Sequence, residues 1–433
     1  MTVSGRSALL VLVGLVLVVA WPGWAAFWVW LAVSGALIGA DLLLAPSPRT
    51  LSISRPPVPA VRLGEERTTE LLVHNTGGKR VRGLLRDAWV PSAGARSSRH
   101  RLDVPAGERR RFPVVLVPTR RGDRLADRVT VRCEGPLGLA ARQRSAPVPG
   151  RLRVLPPFTS RRHLPSRLAR LRELDGRSAV QHRGQGTEFD SLRDYVDGDD
   201  VRSIDWRASA RRQAVVVRTW RPERDRRVLL VVDTSRTSAA RLEGPTPTVR
   251  LDAQIEAALL TAALAARAGD RVDLIAHDRR VRARVRGSTR SDLLPTLVEA
   301  LAPLEPSLVE ADWDAVATEV RTTARQRSLV VLLTALDSSI LDSGLLAVLE
   351  QLAARHTVVL AAVDDPALAE LARGRSDAEA VYTAAAAEAA TAERDRTARL
   401  LSRLGVEVVH AGPEGLAPAL ADRYLALKAA GRL

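Results

Sequence analysis

The chain has 433 residues, with 65 Lys and Arg against 49 Asp and Glu, a formal charge of +16. That length is enough for two or three domains with a sizeable core. Its single cysteine, Cys133, excludes an intrachain disulfide and a zinc cluster built on thiolates, and within a strand pattern it reads as a small buried hydrophobe.

Residues 8–20 are apolar, and 25–44 are interrupted only by Ser34 and Asp41. Between them, Trp21-Pro22-Gly23-Trp24 joins a turn dipeptide to two indoles of the kind that settle at a membrane interface. The pattern predicts a two-helix transmembrane hairpin within residues 1–48, with helices at about 8–21 and 25–44. A cleaved signal peptide is the competing reading, but polar chain should then follow, and a second apolar segment follows instead. Arg6 precedes the pair, Arg49 and Arg55 come after it, and the connecting turn is uncharged. By the positive-inside rule both ends, and the bulk of the chain, belong on the cytoplasmic side of the plasma membrane. Asp41, near its helix end, is expected to snorkel to the interface.

Residues 50–157 change to short alternating segments punctuated by Gly and Pro. Thr68 to His74 is followed by the hairpin signal Asn75-Thr76-Gly77-Gly78, and 112–117 and 128–133 read as further strands. Strands at roughly ten-residue spacing predict a small β-sandwich. His74 and His100 stand alone in it, with no catalytic constellation around them.

Residues 158–227 form a basic segment, and 19 arginines face 11 acidic residues between Arg151 and Arg227. Nucleic acid, anionic lipid or an acidic protein surface could each answer such a patch. Too few aromatics accompany it for a base-stacking platform, so no specific nucleic acid is expected. Leu164, Leu168, Leu171 and Leu174 recur on one stripe of a basic helix. Farther on, Asp199, Asp200 and Asp205 have two readings. They could be metal carboxylates of a phosphoesterase, or a Gly-containing turn and an Asp-capped helix with Trp206 buried against the next domain. The absence of a neighbouring base favours the second. Gly184-Gln185-Gly186 lacks the Lys and hydroxyl residue of a phosphate loop.

From 228 to 433, strands at 228–232, 271–277, 281–285, 328–334, 357–363 and 406–410 alternate with helices at 251–267, 291–302, 313–324, 343–354, 377–404 and 417–429. This alternation predicts an α/β domain with a mostly parallel sheet covered on both faces. The apolar run Val228 to Val232 ends in Asp233-Thr234-Ser235-Arg236-Thr237-Ser238. In open α/β sheets, ligands bind outside the carboxyl ends of strands. Asp233, Ser235 and Thr237 offer three hard oxygens at alternate positions, a set suited to Mg²⁺. A turn that caps the following helix would use the same residues.

The run Glu188-Phe189-Asp190-Ser191-Leu192-Arg193-Asp194-Tyr195, then Gly198-Asp199-Asp200-Val201-Arg202-Ser203-Ile204-Asp205-Trp206-Arg207-Ala208-Ser209-Ala210-Arg211, resembles the signature of the bacterial domain of unknown function family 58. The likeness extends to Arg120-Arg121-Gly122, Gly135-Pro136-Leu137-Gly138-Leu139 and Tyr424-Leu425-Ala426-Leu427-Lys428, and so over nearly the whole chain. It implies a von Willebrand factor A-like, Rossmann-like domain over 228–433, tethered to the membrane and working with a MoxR-type AAA+ ATPase, beside which family members are commonly encoded. It further implies a metal-ion-dependent adhesion site for Mg²⁺ or Mn²⁺, opening on an Asp-x-Ser-x-Ser/Thr pattern that Asp233, Ser235 and Thr237 match. The other two loops depart from the pattern. No Thr stands at 309–312, and Ala335 replaces an Asp, so the site is either incomplete or completed by Asp312 or Asp337. The implied function is a non-enzymatic, chaperone-like module for assembly or maturation of client proteins. A structural cell-envelope scaffold with a vestigial metal site and a phosphoesterase using Asp199, Asp200 and Asp205 are the alternatives.

Overall fold

The computed structural model describes residues 2–21, 23–181, 188–221, 226–243, 247–287, 292–336 and 344–433. They divide into two compact units, Met1–Pro157 and Phe158–Leu433.

The first unit begins with two helices, Gly5–Ala20 and Trp24–Leu44. Among the described residues only the second is long and apolar enough to cross a membrane. The shorter one packs against it, and Gly14 is required there because a Cβ would fall 1.6 Å from Trp30 Nε1. Leu9, Leu12, Val16, Trp24 and Trp28 face outward, an apolar surface that water would penalise. Both ends of the pair hold one turn. Thr2–Val3 pairs with Ala140 and Ala141, and Ser4 donates from its amide to the Leu139 carbonyl (3.0 Å) and from Oγ to that of Gly138 (2.5 Å). At the end of the second helix Asp41 is fully buried. Its Oδ1 accepts from the Leu137 amide (2.7 Å), and Oδ2 from those of Leu139 (2.7 Å) and Ala140 (2.8 Å). The snorkelling expected of Asp41 is therefore corrected: backbone amides solvate the carboxylate in place of water.

Two sheets follow. One contains Val81–Trp89, Arg99–Val104, Gly122–Glu134 and Ala140–Leu155, and the other Leu51–Ser54, Arg67–Asn75 and Arg109–Leu116. Leu51, Leu71, Val73, Leu85, Phe112 and Val131, alternating inward residues of both sheets, share one hydrophobic cluster, and Val114, Leu116, Leu152 and Val154 form a second. Cys133 lies in the first cluster, where burial pushes its thiol up to about 11 and leaves it inert. Arg55, counted from the sequence among the charges flanking the membrane, is folded away instead. It forms a buried bidentate pair with Asp87 (2.6 and 3.0 Å) and stacks over Trp89.

The second unit is built on a six-stranded sheet in the order Val281–Val285, Arg271–His277, Arg227–Asp233, Leu329–Leu333, Thr357–Val363, Val406–Ala411. All pairings are parallel except at the Val281–Val285 edge. Runs such as Val-Leu-Leu-Val-Val are buried on both sides, as a sheet covered on both faces requires. One face packs on the helices Trp313–Thr323 and Leu345–Ala353. The helices Arg250–Arg267 and Leu416–Ala429 pack together and against strands of the same sheet. Asp270, also buried, accepts from Tyr424 Oη and from Lys428 Nζ (2.9 Å), which ties the last helix to the strand at Arg271. The chain leaves Arg227–Asp233 for a neighbour on one side and later returns to pair on the other, so the crevice beyond Asp233 is a topological switch point.

Preceding this sheet are the helix Leu164–Gln181, the hairpin Glu188–Asp194 with Val216–Arg221, and the short helix Trp206–Arg212. Trp206, expected to be buried, is instead 67% exposed, at the first position of the helix that Asp205 caps. The dismissed phosphate-loop glycines Gly184 and Gly186 lie outside the described residues.

His356, at the start of Thr357–Val363, is buried, and burial, then Arg355 and Arg327, push its imidazole below its ordinary value. The unfolded chain takes up this proton near pH 6.5 while the folded site resists it, so stability falls as pH drops through that value. His277 is shifted in the same direction. His356→Gln is expected to flatten the loss of stability below about pH 6.5, by up to about 1.4 kcal/mol per pH unit, as measured by hydrogen exchange in Thr357–Val363.

Candidate metal centre

The apolar strand Arg227–Asp233 delivers Asp233 to the switch-point crevice, where its side chain is 3% exposed. The chain then turns, because Asp233 Oδ1 accepts from the Ser235 amide (2.8 Å). Oδ2 accepts two hydroxyls, Thr237 Oγ1 and Thr334 Oγ1, each at 2.7 Å. Ser235 Oγ lies 3.1 Å from Thr237 Oγ1. The backbone around this cluster is fixed from both sides. The Thr234 amide donates to the His277 carbonyl (2.8 Å), the Arg236 amide to that of Val309 (2.9 Å), and the Ser307 amide to that of Thr234 (2.8 Å). Arg250 Nη1 donates to the Thr237 carbonyl (2.8 Å).

Asp233 forms no ion pair among the described residues, although it is buried. Arg236 points to Glu310 (2.5 Å), and Arg282 to Asp278 (2.6 Å). His277, opposite Asp233 in the sheet register, is held below its ordinary value by burial, against the pull of Asp278, Asp312 and Glu319. It therefore supplies no counter-charge near neutral pH. Burial works to raise the Asp278 carboxyl, but the Ser307 hydroxyl, the Arg280 amide and Arg282 together hold it below the usual range. A buried carboxylate ringed by hydroxyls, with no ion-pair partner among the described residues, is chemically suited to a hard divalent ion. Among the described residues no three His, Cys, Asp or Glu gather to hold a metal. Of the described residues, an ion here would rest on the Asp233 carboxylate and the hydroxyls, with water.

The sequence candidates fare differently. Asp233, Ser235 and Thr237 are brought together. Asp312 is exposed and caps the helix Trp313–Thr323, accepting from the Ala315 amide (2.9 Å), while its own amide donates to the Asp278 carbonyl (3.0 Å). It makes no hydrogen bond to the Asp233 cluster. Asp337 lies outside the described residues. Thr334 was missed. It follows Leu333, which pairs with Val232, so register alone carries residue 334 to the side of Asp233. Thr334→Val keeps the shape and removes one hydroxyl donor from a buried carboxylate; it is expected to cost about 1.5–3 kcal/mol in denaturant unfolding.

Asp199, Asp200 and Asp205 do not gather as a phosphoesterase would need. Asp199 binds Arg193 (2.5 Å) and the Val196 amide (3.0 Å), and Asp200 accepts from the Arg202 amide (2.9 Å). Asp205 caps its helix through the Arg207 and Ala208 amides and pairs with Arg218 (2.8 Å). The Arg193 hydrogen bond, and for Asp205 first the Ala208 amide, hold these two carboxyls below their usual range.

Residues 191–402 match a family described as "Protein of unknown function DUF58". Comparison with curated proteins gives no match. Among solved structures, the ASH/PapD-like domain 7 of human CEP192 is similar at 14% identity, covering 24% of this chain and 84% of that one, with a TM-score of 0.18. The CARDB domain of PF1109 from Pyrococcus furiosus is 15% identical over 24% of this chain and 91% of that one, at 0.18. An exo-β-N-acetylglucosaminidase from Vibrio harveyi is 11% identical over 83% and 75%, at 0.23. At such TM-scores these likenesses carry no argument about fold or function.

Proposed function

We propose, for a chain that belongs to the DUF58 family through residues 191–402, that it is a membrane-anchored, non-enzymatic interaction module with a von Willebrand factor A-like second unit. It works with a MoxR-type AAA+ ATPase in chaperone-like assembly or maturation of client proteins. The observation that carries this reading is the buried Asp233 carboxylate, which has hydroxyl donors from Thr237 and Thr334 and no ion-pair partner among the described residues. Asp233, Ser235, Thr237 and Thr334 would hold Mg²⁺ or Mn²⁺ at the strand ends. Bound there, the cation supplies an open coordination position that an acidic side chain of a partner can occupy. The protein's own part is to fix those oxygens, through the Ser235 amide and the neighbouring loops, so that a partner meets a preorganised set.

Anchoring is supported by the helix Trp24–Leu44 and by the turn at 135–140, which receives the start of the first helix and the end of the second. A hairpin with both ends on one side satisfies that geometry, and the exposed Arg6 and Arg49 favour the cytoplasm for that side by the positive-inside rule. The full chain in nanodiscs with Mg²⁺ is expected to capture a MoxR-type ATPase from the same genome, and Asp233→Asn to weaken capture about tenfold or more. Absence of capture at low salt with metal present sinks the reading. A cell-envelope scaffold with a vestigial site is favoured by one observation, that protein donors already contact both Asp233 oxygens. It predicts no Asp233-dependent heat on titration with Mg²⁺ or Mn²⁺.

A further inference from the structure

We propose that a second site, at the opposite end of the same strands, binds a small anion carrying several phosphate charges. A cavity of about 460 Å³ opens there. Arg227 and Arg271 begin the two strands that end at Asp233 and His277, and Ser328 immediately precedes Leu329–Leu333, so the full length of the sheet separates the cavity from the candidate metal centre. Five arginines line it, Arg227, Arg271, Arg286, Arg325 and Arg327, and Asp273 is the one carboxylate among the lining residues.

That carboxylate is spent on building the wall. Asp273, 2% exposed, accepts from the Gly287 amide (2.5 Å) and lies 3.3 Å from Arg227 Nε and 4.0 Å from Arg271 Nε. Arg227 also donates to the Thr323 carbonyl at the end of its helix. Two guanidiniums are thus held in place by a buried acid and a helix terminus. Arg286, Arg325 and Arg327 have no ion pair or side-chain hydrogen bond among the described residues, and all three are exposed. Attraction to a helix C-terminus accounts for Arg227, but not for Arg286, which arrives from the far edge of the sheet after Val281–Val285.

Three unneutralised forks beside two fixed ones call for a ligand with several negative charges in a small volume. Guanidinium forks fit phosphate oxygens in pairs. Among the described residues no aromatic side chain lines the cavity, so recognition falls on the phosphates and not on an attached base. The site is independent of the metal reading.

The probe is inorganic triphosphate, titrated calorimetrically into the full chain in nanodiscs of zwitterionic lipid, with EDTA present to silence any cation at Asp233. Saturable binding is expected, weakening steeply between about 50 and about 200 mM salt. It should weaken about tenfold or more in R325Q/R327Q, and also in R286Q, which tests the opposite wall if the double variant misfolds. Asp233→Asn should leave it unchanged. No saturable heat at low salt, or equal affinity in the arginine variants, overturns the proposal. So does a hexaglutamate peptide binding as tightly as triphosphate, which would make this a surface for acidic protein.

Discussion

Replacing Asp41 by alanine is expected to release the turn at residues 135–140 and to destabilise that contact by about 3–5 kcal/mol. The wild-type carboxylate is wholly buried and accepts three backbone amides, from Leu137, Leu139 and Ala140, at 2.7–2.8 Å. Alanine removes the acceptor from three amides, those of Leu139 and Ala140 in buried contacts and that of Leu137 in a part-buried one, and each stranded buried group costs about 1–3 kcal/mol. Gly135 shows how closely the turn is fitted, since a Cβ there would meet Asp41 Oδ1 at 2.3 Å. The readout is hydrogen exchange at the Leu137, Leu139 and Ala140 amides in the full chain. A loss of about 3 kcal/mol corresponds to roughly hundredfold faster exchange. Unchanged protection at all three would mean that the helix pair is not held by this carboxylate. Asp41→Asn keeps one acceptor oxygen but turns an NH₂ group toward amide donors, so its loss should lie close to that of alanine.

The same residue shows where sequence reading stops. Asp41 at the end of an apolar stretch is compatible with water, lipid headgroups or a protein partner, and its partners lie 96 to 99 residues away. Nothing local encodes that distance. The sheet of the second unit was legible because its signal is local: Val228 to Val232 is a continuous apolar run between charges, and the strand found is Arg227–Asp233. The helix Pro366–Leu371 was not read. Its six residues are too few to display a period, and it depends on the Asp365 side chain capping the Ala367 amide. At the candidate site, Asp233, Ser235 and Thr237 share one loop and one spacing. Thr334 belongs to the group only through strand register, which has no signature within a single segment. Arg55 was counted as a membrane-flanking charge for a related reason, since its pairing with Asp87 is a tertiary fact.

Asp233→Asn is expected to abolish the stabilisation that Mg²⁺ confers on the second unit while changing the metal-free stability by no more than about 1 kcal/mol. The two halves of this expectation have different causes. Without metal, the asparagine oxygen can still accept from the Ser235 amide, and the hydroxyls of Thr237 and Thr334 can rotate to accept from its NH₂. The substitution also removes a buried charge that has no ion-pair partner among the described residues, which offsets part of what weaker hydrogen bonds cost. With metal, the site loses the one carboxylate assembled there among the described residues, because Asp312 is occupied in capping Trp313–Thr323. Neutral oxygens alone hold a hard divalent ion poorly. At a hundredfold excess over the dissociation constant, a bound ion stabilises the wild type by about 2.7 kcal/mol, a shift of several degrees in thermal unfolding. Unfolding of the wild type and Asp233→Asn, each in EDTA and in millimolar Mg²⁺, separates the possibilities. A shift that survives in Asp233→Asn places the ion elsewhere. No shift in the wild type leaves the hydroxyl ring around Asp233 as a structural cap, with the carboxylate solvated by the chain alone.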